Sequence, residues 1–98
     1  MRRGTTPTNV FGVDVDCTTA SEIYITYVQN GQTIIEKTIE DTGITEKALT
    51  VELTQAETLS FGEGHVDIQI RVKFPDETAL ASNIIRTTVE RILKEGAI

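Results

Sequence analysis

From Val66 to Phe74 the chain alternates without an error. Val66, Ile68, Ile70, Val72 and Phe74 are apolar, and Asp67, Gln69, Arg71 and Lys73 lie between them. Successive side chains of a strand point to opposite faces, so this pattern predicts a strand over 65–74 with one buried and one wet face. Pro75-Asp76-Glu77-Thr78 ends it, because proline has no N–H to give a ladder and Pro-Asp favours a turn.

A second signal surrounds Asn30-Gly31. Residues 22–29 read as a strand with Ile23, Ile25 and Tyr27 on one face and Tyr24, Thr26 and Val28 on the other. Residues 32–39 read as its partner. Asn-Gly between two β-rich runs predicts a type I′ hairpin, whose two central residues both need positive φ. Apolar residues on both faces predict central positions for both strands. Residues 10–16 predict a strand with Phe11, Val13 and Val15 inward, and residues 48–53 a short one with Leu49, Val51 and Leu53 inward. Asp41-Thr42-Gly43 reads as a turn. Thr54-Gln55-Ala56-Glu57 matches a capping box, which predicts a single helical turn reaching about Phe61 and ended by Gly62 and Gly64. Residues 79–91 read as the last strand.

Six to seven strands about ten residues apart, with one helical turn near 55–61, predict an all-β fold: an antiparallel, immunoglobulin-like β-sandwich. Composition agrees. Valine (8), isoleucine (12) and threonine (16) make up 36 of the 98 residues, and these β-branched types suit a pleated surface. A chain of this length forms one domain, read here as residues 1–98 with 1–7 as a flexible lead-in.

Charge and chemistry then narrow the function. Fifteen acids against nine bases leave a net charge of −6, which opposes binding to nucleic acid or an anionic membrane. No apolar run has the length of a secretory signal or of a membrane span. The resulting expectation is a protein made and kept in the cytoplasm. The single cysteine, Cys17, has no internal disulfide partner, and its neighbour Asp16 opposes a reactive thiolate. His65 has no nucleophile or carboxylate partner in its pattern, so it reads as a strand-end residue rather than a catalytic base. Asp14 and Asp16 share a strand face and could join Asp41 or Asp67 in an oxygen-rich calcium site, but no glycine-containing ligand loop accompanies them. Gly62 and Gly64 lack the lysine and hydroxyl residue of a phosphate loop. Ser21, Ser60 and Ser82 lie in no nucleophile-elbow setting. Arg2 and Arg3, the one basic cluster, read as part of a flexible end. The expectations are therefore no enzyme, no catalytic residue, no cofactor and no metal. The remaining idea is contact through an exposed strand edge, with the 10–16 strand and the last strand as candidates.

Several segments carry a family resemblance: Arg3-Gly4-Thr5-Thr6-Pro7-Thr8 leading into the first strand, Ile23 to Gly31 as the first hairpin, Leu53 to Phe61 around the helical turn, Ile68-Gln69-Ile70-Arg71-Val72, and Ala81-Ser82-Asn83-Ile84-Ile85. Together they resemble small all-β tail and baseplate proteins of phages and prophages of Gram-positive bacteria, including the N-terminal domain of baseplate upper proteins. The resemblance implies a non-enzymatic structural or adaptor part of a tail, touching other phage structural proteins or itself, made in the cytoplasm and carried in the virion. In the larger baseplate proteins an extension follows this domain, so roles that need the extension do not carry over to residues 1–98. The alternative is a small β-sandwich binding module for a cell-surface carbohydrate or protein. It needs an aromatic face drawn from Phe11, Tyr24, Tyr27, Phe61 and Phe74.

If Ile70 faces the core and Gln69 the solvent, Ile70→Ala costs about 2–5 kcal/mol and Gln69→Ala no more than about half a kcal/mol. Equal losses on urea denaturation reverse the facing.

Overall fold

The computed structural model describes residues 1–98. Eight strands form two antiparallel sheets: β1 (Thr8–Gly12), β2 (Glu22–Gln29), β3 (Gln32–Thr38), β4 (Thr42–Ile44), β5 (Ala48–Glu52), β6 (Gly64–Lys73), β7 (Ala79–Ala81) and β8 (Ile85–Val89). A 3-10 turn spans Ile39–Asp41, and one short helix, α1, spans Gln55–Leu59. The first sheet has the order β1-β5-β4. The second runs β3-β2-β6, with β7 and β8 both paired to the far side of β6. β8 takes residues 64–68 of β6 and β7 takes residues 71–73. Five strands therefore fill only four positions across the second sheet.

The expected β-sandwich is what the chain forms. Phe11, Leu49 and Val51 of the first sheet pack on Ile23, Ile25 and Tyr27 of β2 and on Val66, Ile68, Ile70 and Val72 of β6. The alternation read along β6 has the predicted facing. Gln69 is only half-exposed, and its amide donates to the Ser82 carbonyl at 3.0 Å, which raises the expected cost of Gln69→Ala to about 1 kcal/mol. Asn30 and Gly31 have φ of 53° and 76°, the type I′ values.

Four strand and turn expectations are corrected. The 10–16 strand begins earlier and ends at Gly12. Its last rung is Val13 N–H to the Lys47 carbonyl at 2.9 Å, after which the Asp16 carboxylate accepts from the Thr18 N–H and hydroxyl and turns the chain. Thr42-Gly43 is not a turn but opens β4, while the Asp41 carboxylate accepts from the Thr38 N–H at 3.0 Å and from the Thr38 hydroxyl at 3.2 Å. The last strand is two strands. The Ser82 hydroxyl, in place of a backbone carbonyl, accepts the Ile70 N–H at 3.0 Å, so the ladder breaks and its register shifts by one between β7 and β8. Finally, β2 is central but β3 is an edge. A bulge places Ile34 outside the ladder opposite Tyr27 and Val28, which accounts for apolar residues on both faces.

Residues 1–7, read as a flexible lead-in, are strapped to the body. The Met1 amine donates to the Thr88 carbonyl, Glu90 N–H to the Met1 carbonyl, and Arg3 N–H to the Glu90 carbonyl. Further on, Thr58 donates its buried hydroxyl to the Thr5 carbonyl at 2.8 Å, and Leu53 N–H reaches the Pro7 carbonyl at 3.0 Å. Gly4, at φ 72°, lets the arm bend where its Cα faces Ile92 and Leu59.

Thr54 and Glu57 form the capping box read from the sequence, with both bonds present. Glu57 also pairs with Lys37 at 2.6 Å. Lys37 stands opposite Ile25, so it is rooted on the inner face of β3. Partial burial pushes the Glu57 carboxyl upward, but the bond from Lys37 and the cap at Thr54 outweigh it and leave its pKa lowered. A carboxylate with a pKa lower in the folded than in the unfolded chain stabilises fully above the unfolded value near 4.3, and loses that contribution as pH falls through the folded value. Glu57→Gln keeps a capping acceptor and loses the ion pair. It is expected to be about 0.5–1 kcal/mol less stable than the parent at pH 7 and to differ from it by less at pH 3. Urea denaturation at the two pH values checks this.

Candidate functional site

The residues singled out for chemistry are dispersed, and most are committed to local structure. His65 is exposed at the start of β6, opposite Thr88. Ser21 donates to the Lys73 carbonyl at 3.0 Å, Ser60 bonds the Glu57 carbonyl, and Ser82 bridges β6 and β7, so no serine faces a histidine. Asp16 turns the loop at Thr18, Asp41 caps the 3-10 turn, and Asp67 takes a two-pronged contact from Arg86, directly opposite it, at 2.9 and 3.3 Å. The four carboxylates read as a calcium set are thus not brought together, and no group of three or more His, Cys, Asp and Glu could hold a metal. The Arg86 hydrogen bond pulls the Asp67 pKa down, and the Thr18 hydroxyl and N–H do the same for Asp16.

Arg2 and Arg3, read as a flexible end, are structural. Arg3 Nε donates to the Phe61 carbonyl at 2.7 Å, Nη2 to the Leu59 carbonyl at 3.1 Å, and Nη1 to Glu95 at 2.6 Å. A planar guanidinium has donors for all three at once. Here it closes the C-terminal end of α1, where a cation is favoured. Arg2 pairs with Glu90 and donates to the Arg91 carbonyl at 2.9 Å. Gly62, read as a turn residue, has its N–H and carbonyl both taken by the buried Gln29 amide at 2.8 Å.

The aromatic residues do not form a shared surface. Tyr27 and Phe61 pack against each other in the core, their ring centroids 6.1 Å apart, and Asn9 donates to the Tyr27 hydroxyl at 2.7 Å. Phe11 is also buried. Tyr24 is exposed on the outer face, and Phe74 is half-buried.

What the sequence pattern missed is a slot between the sheets. Three strand positions cover four, and the uncovered one lies beside β1. Leu80 stands opposite Val72, and Ile85 opposite Ile68. Both therefore point to the inner face, yet each is 41% exposed. Two adjoining hollows result. One, of about 440 Å³, is walled by Gly12–Val15 and Cys17 and floored by Ile70, Val72, Leu80 and Ile85. The other, of about 380 Å³, lies between β1 and Ile68, Ile85 and Thr87. The surface area is in keeping with this. The chain exposes 6,156 Å², about a tenth more than the roughly 5,500 Å² usual for its mass. Its radius of gyration is 14.1 Å, against about 12.6 Å for a compact chain of this length.

The wall of the larger hollow also sets the character of Cys17. Its Sγ is buried, 3.3 Å from the Val15 carbonyl. Burial, and after it the charge of Asp16, push its pKa upward.

No family model matches the chain, and no curated protein or solved structure is detectably similar to it. No helix is long and apolar enough to cross a membrane.

With its thiolate disfavoured and its sulfur covered, Cys17 is expected to react with an aromatic disulfide reagent at pH 8 more slowly than a small free thiol by about tenfold or more, and at the ordinary rate in urea. Equal rates in the folded and unfolded chain contradict the buried placement.

Proposed function

We propose that this chain is a non-catalytic β-sandwich that works by protein–protein contact, as a structural or adaptor component of a phage or prophage tail. The observation that carries the contact reading is the uncovered inner face at Leu80 and Ile85 beside the open edge of β1. Apolar side chains aimed into a sandwich but left in water are a feature of interaction surfaces. The dispersal of His65, the three serines and the carboxylates leaves no convergent polar set of the kind a catalytic pocket needs. The tail assignment rests on the resemblance of the strand and turn segments around Thr5–Thr8, Ile23–Gly31, Leu53–Phe61, Ile68–Val72 and Ala81–Ile85.

Mass spectrometry of gradient-purified particles, collected after prophage induction in the source strain, tests the assignment. The expected result is this chain at a fixed ratio to the tail proteins. Particles that lack it remove the tail reading and shift weight to an accessory or surface-binding module.

A further inference from the structure

Each edge of the two sheets meets water differently. On the outer edge of β8, the N-terminal arm takes the Thr88 carbonyl and both backbone groups of Glu90. β3 carries a bulge and the inward-rooted Lys37, and both devices discourage strand addition. β4 is only three residues long. β1 has none of these protections. Its phase follows from two rungs, Leu53 N–H to the Pro7 carbonyl and Val13 N–H to the Lys47 carbonyl. In an antiparallel pair, alternate residues turn their backbone groups toward the partner. Residues 7, 9, 11 and 13 therefore face β5, and Thr8, Val10 and Gly12 turn their N–H and C=O outward. Val10 is also 64% exposed.

The open edge and the two hollows coincide. A strand laid along β1 occupies the fourth position of the first sheet, over β7 and β8. Its alternate side chains, about 7 Å apart, drop into one hollow and then the other. Charge selects the occupant. Asp14 is the one charged side chain lining the two hollows, with Asp16 just beyond it, while the Met1 amine beside the second hollow is taken by the Thr88 carbonyl at 2.7 Å. The whole chain carries −6. A second copy brings the same negative charge, and its own overhanging sheet would fall where β7 and β8 already lie.

We propose that the slot beside β1 takes one extended segment of another protein, with apolar side chains at alternate positions and basic flanks, added as a fourth strand of the first sheet. This rests on the protein-contact reading above and specifies the chemistry of the contact. The backbone of β1 supplies affinity, and the hollows at Leu80 and Ile85 supply selectivity.

The probe is a synthetic peptide, Lys-Thr-Val-Thr-Ile-Thr-Val-Thr-Lys, titrated into the intact chain with hydrogen exchange read residue by residue. The expected result is protection of the Val10 and Gly12 amides, weaker in high salt and lost when the flanking lysines become glutamates. Val10→Pro removes an N–H that faces the open edge, a position where strands tolerate proline. It is expected to fold and to bind about tenfold more weakly, or about 1.4 kcal/mol. Ile85→Lys, at a half-exposed site, is expected to show the same loss and serves if the proline variant does not fold. No binding at millimolar peptide, protection elsewhere, or indifference to both variants overturns the proposal. Dimerisation of the chain alone, abolished by Val10→Pro, makes a second copy the occupant and also overturns it. The two readings fail separately. Particles that incorporate Val10→Pro and Ile85→Lys as readily as the parent reject the slot and keep the tail role. Peptide binding by a chain absent from particles rejects the tail role and keeps the slot.

Discussion

The molecule depends on burying one face of β6 and its neighbour β2. β6 is the longest strand, at ten residues, and it pairs with β2 on one side and with β7 and β8 on the other. Its inner residues Val66, Ile68, Ile70 and Val72 meet Phe11, Leu49 and Val51 across the sandwich. Sheet packing of this kind is non-directional in energy but strict in register, because a slip of one residue turns the whole apolar set to solvent. The three strands above β6 and β2 are held in place chiefly by this contact.

Around that core, polar groups act as fasteners. The Gln29 amide locks the end of the β2–β3 hairpin to the backbone of Gly62. Arg3 ties the N-terminal arm to the end of α1 and to Glu95. The Thr54–Glu57 box starts α1, and Lys37 pins that box to β3. No buried side-chain nitrogen or oxygen is left without a partner. The backbone groups at the edge of β1 and the apolar surface beside it are left without such partners.

That edge follows from a mismatch in width. β7 and β8 share one position along β6 because Ser82 interrupts the ladder. The second sheet still reaches one strand past β1. Where β3 and β8 carry a bulge, an inward lysine or a covering arm, β1 presents Thr8, Val10 and Gly12 without cover. β4 and β7, three residues each, offer little backbone to pair, so β1 is the longest edge without a bulge, an inward charge or a covering arm.

Local sequence was enough for the strand count to within two, the facing of β6, the type I′ turn and the capping box. Each of these depends on residues near one another in the chain. A period of two, an Asn-Gly pair, or a threonine three residues before a glutamate carries its own physical cause. The rest depends on contacts between segments distant in the chain. Arg2 and Arg3 became fasteners because Phe61, Leu59 and Glu90, remote in the chain, came within reach. β3 became an edge because no strand pairs with its outer side, and its apolar residues on both faces come from a one-residue bulge that alternation does not reveal. Leu80 and Ile85 read as ordinary inward strand residues. They are exposed because no strand of the opposite sheet covers them, and whether a face is covered depends on how many strands each sheet holds, a quantity that no local pattern encodes.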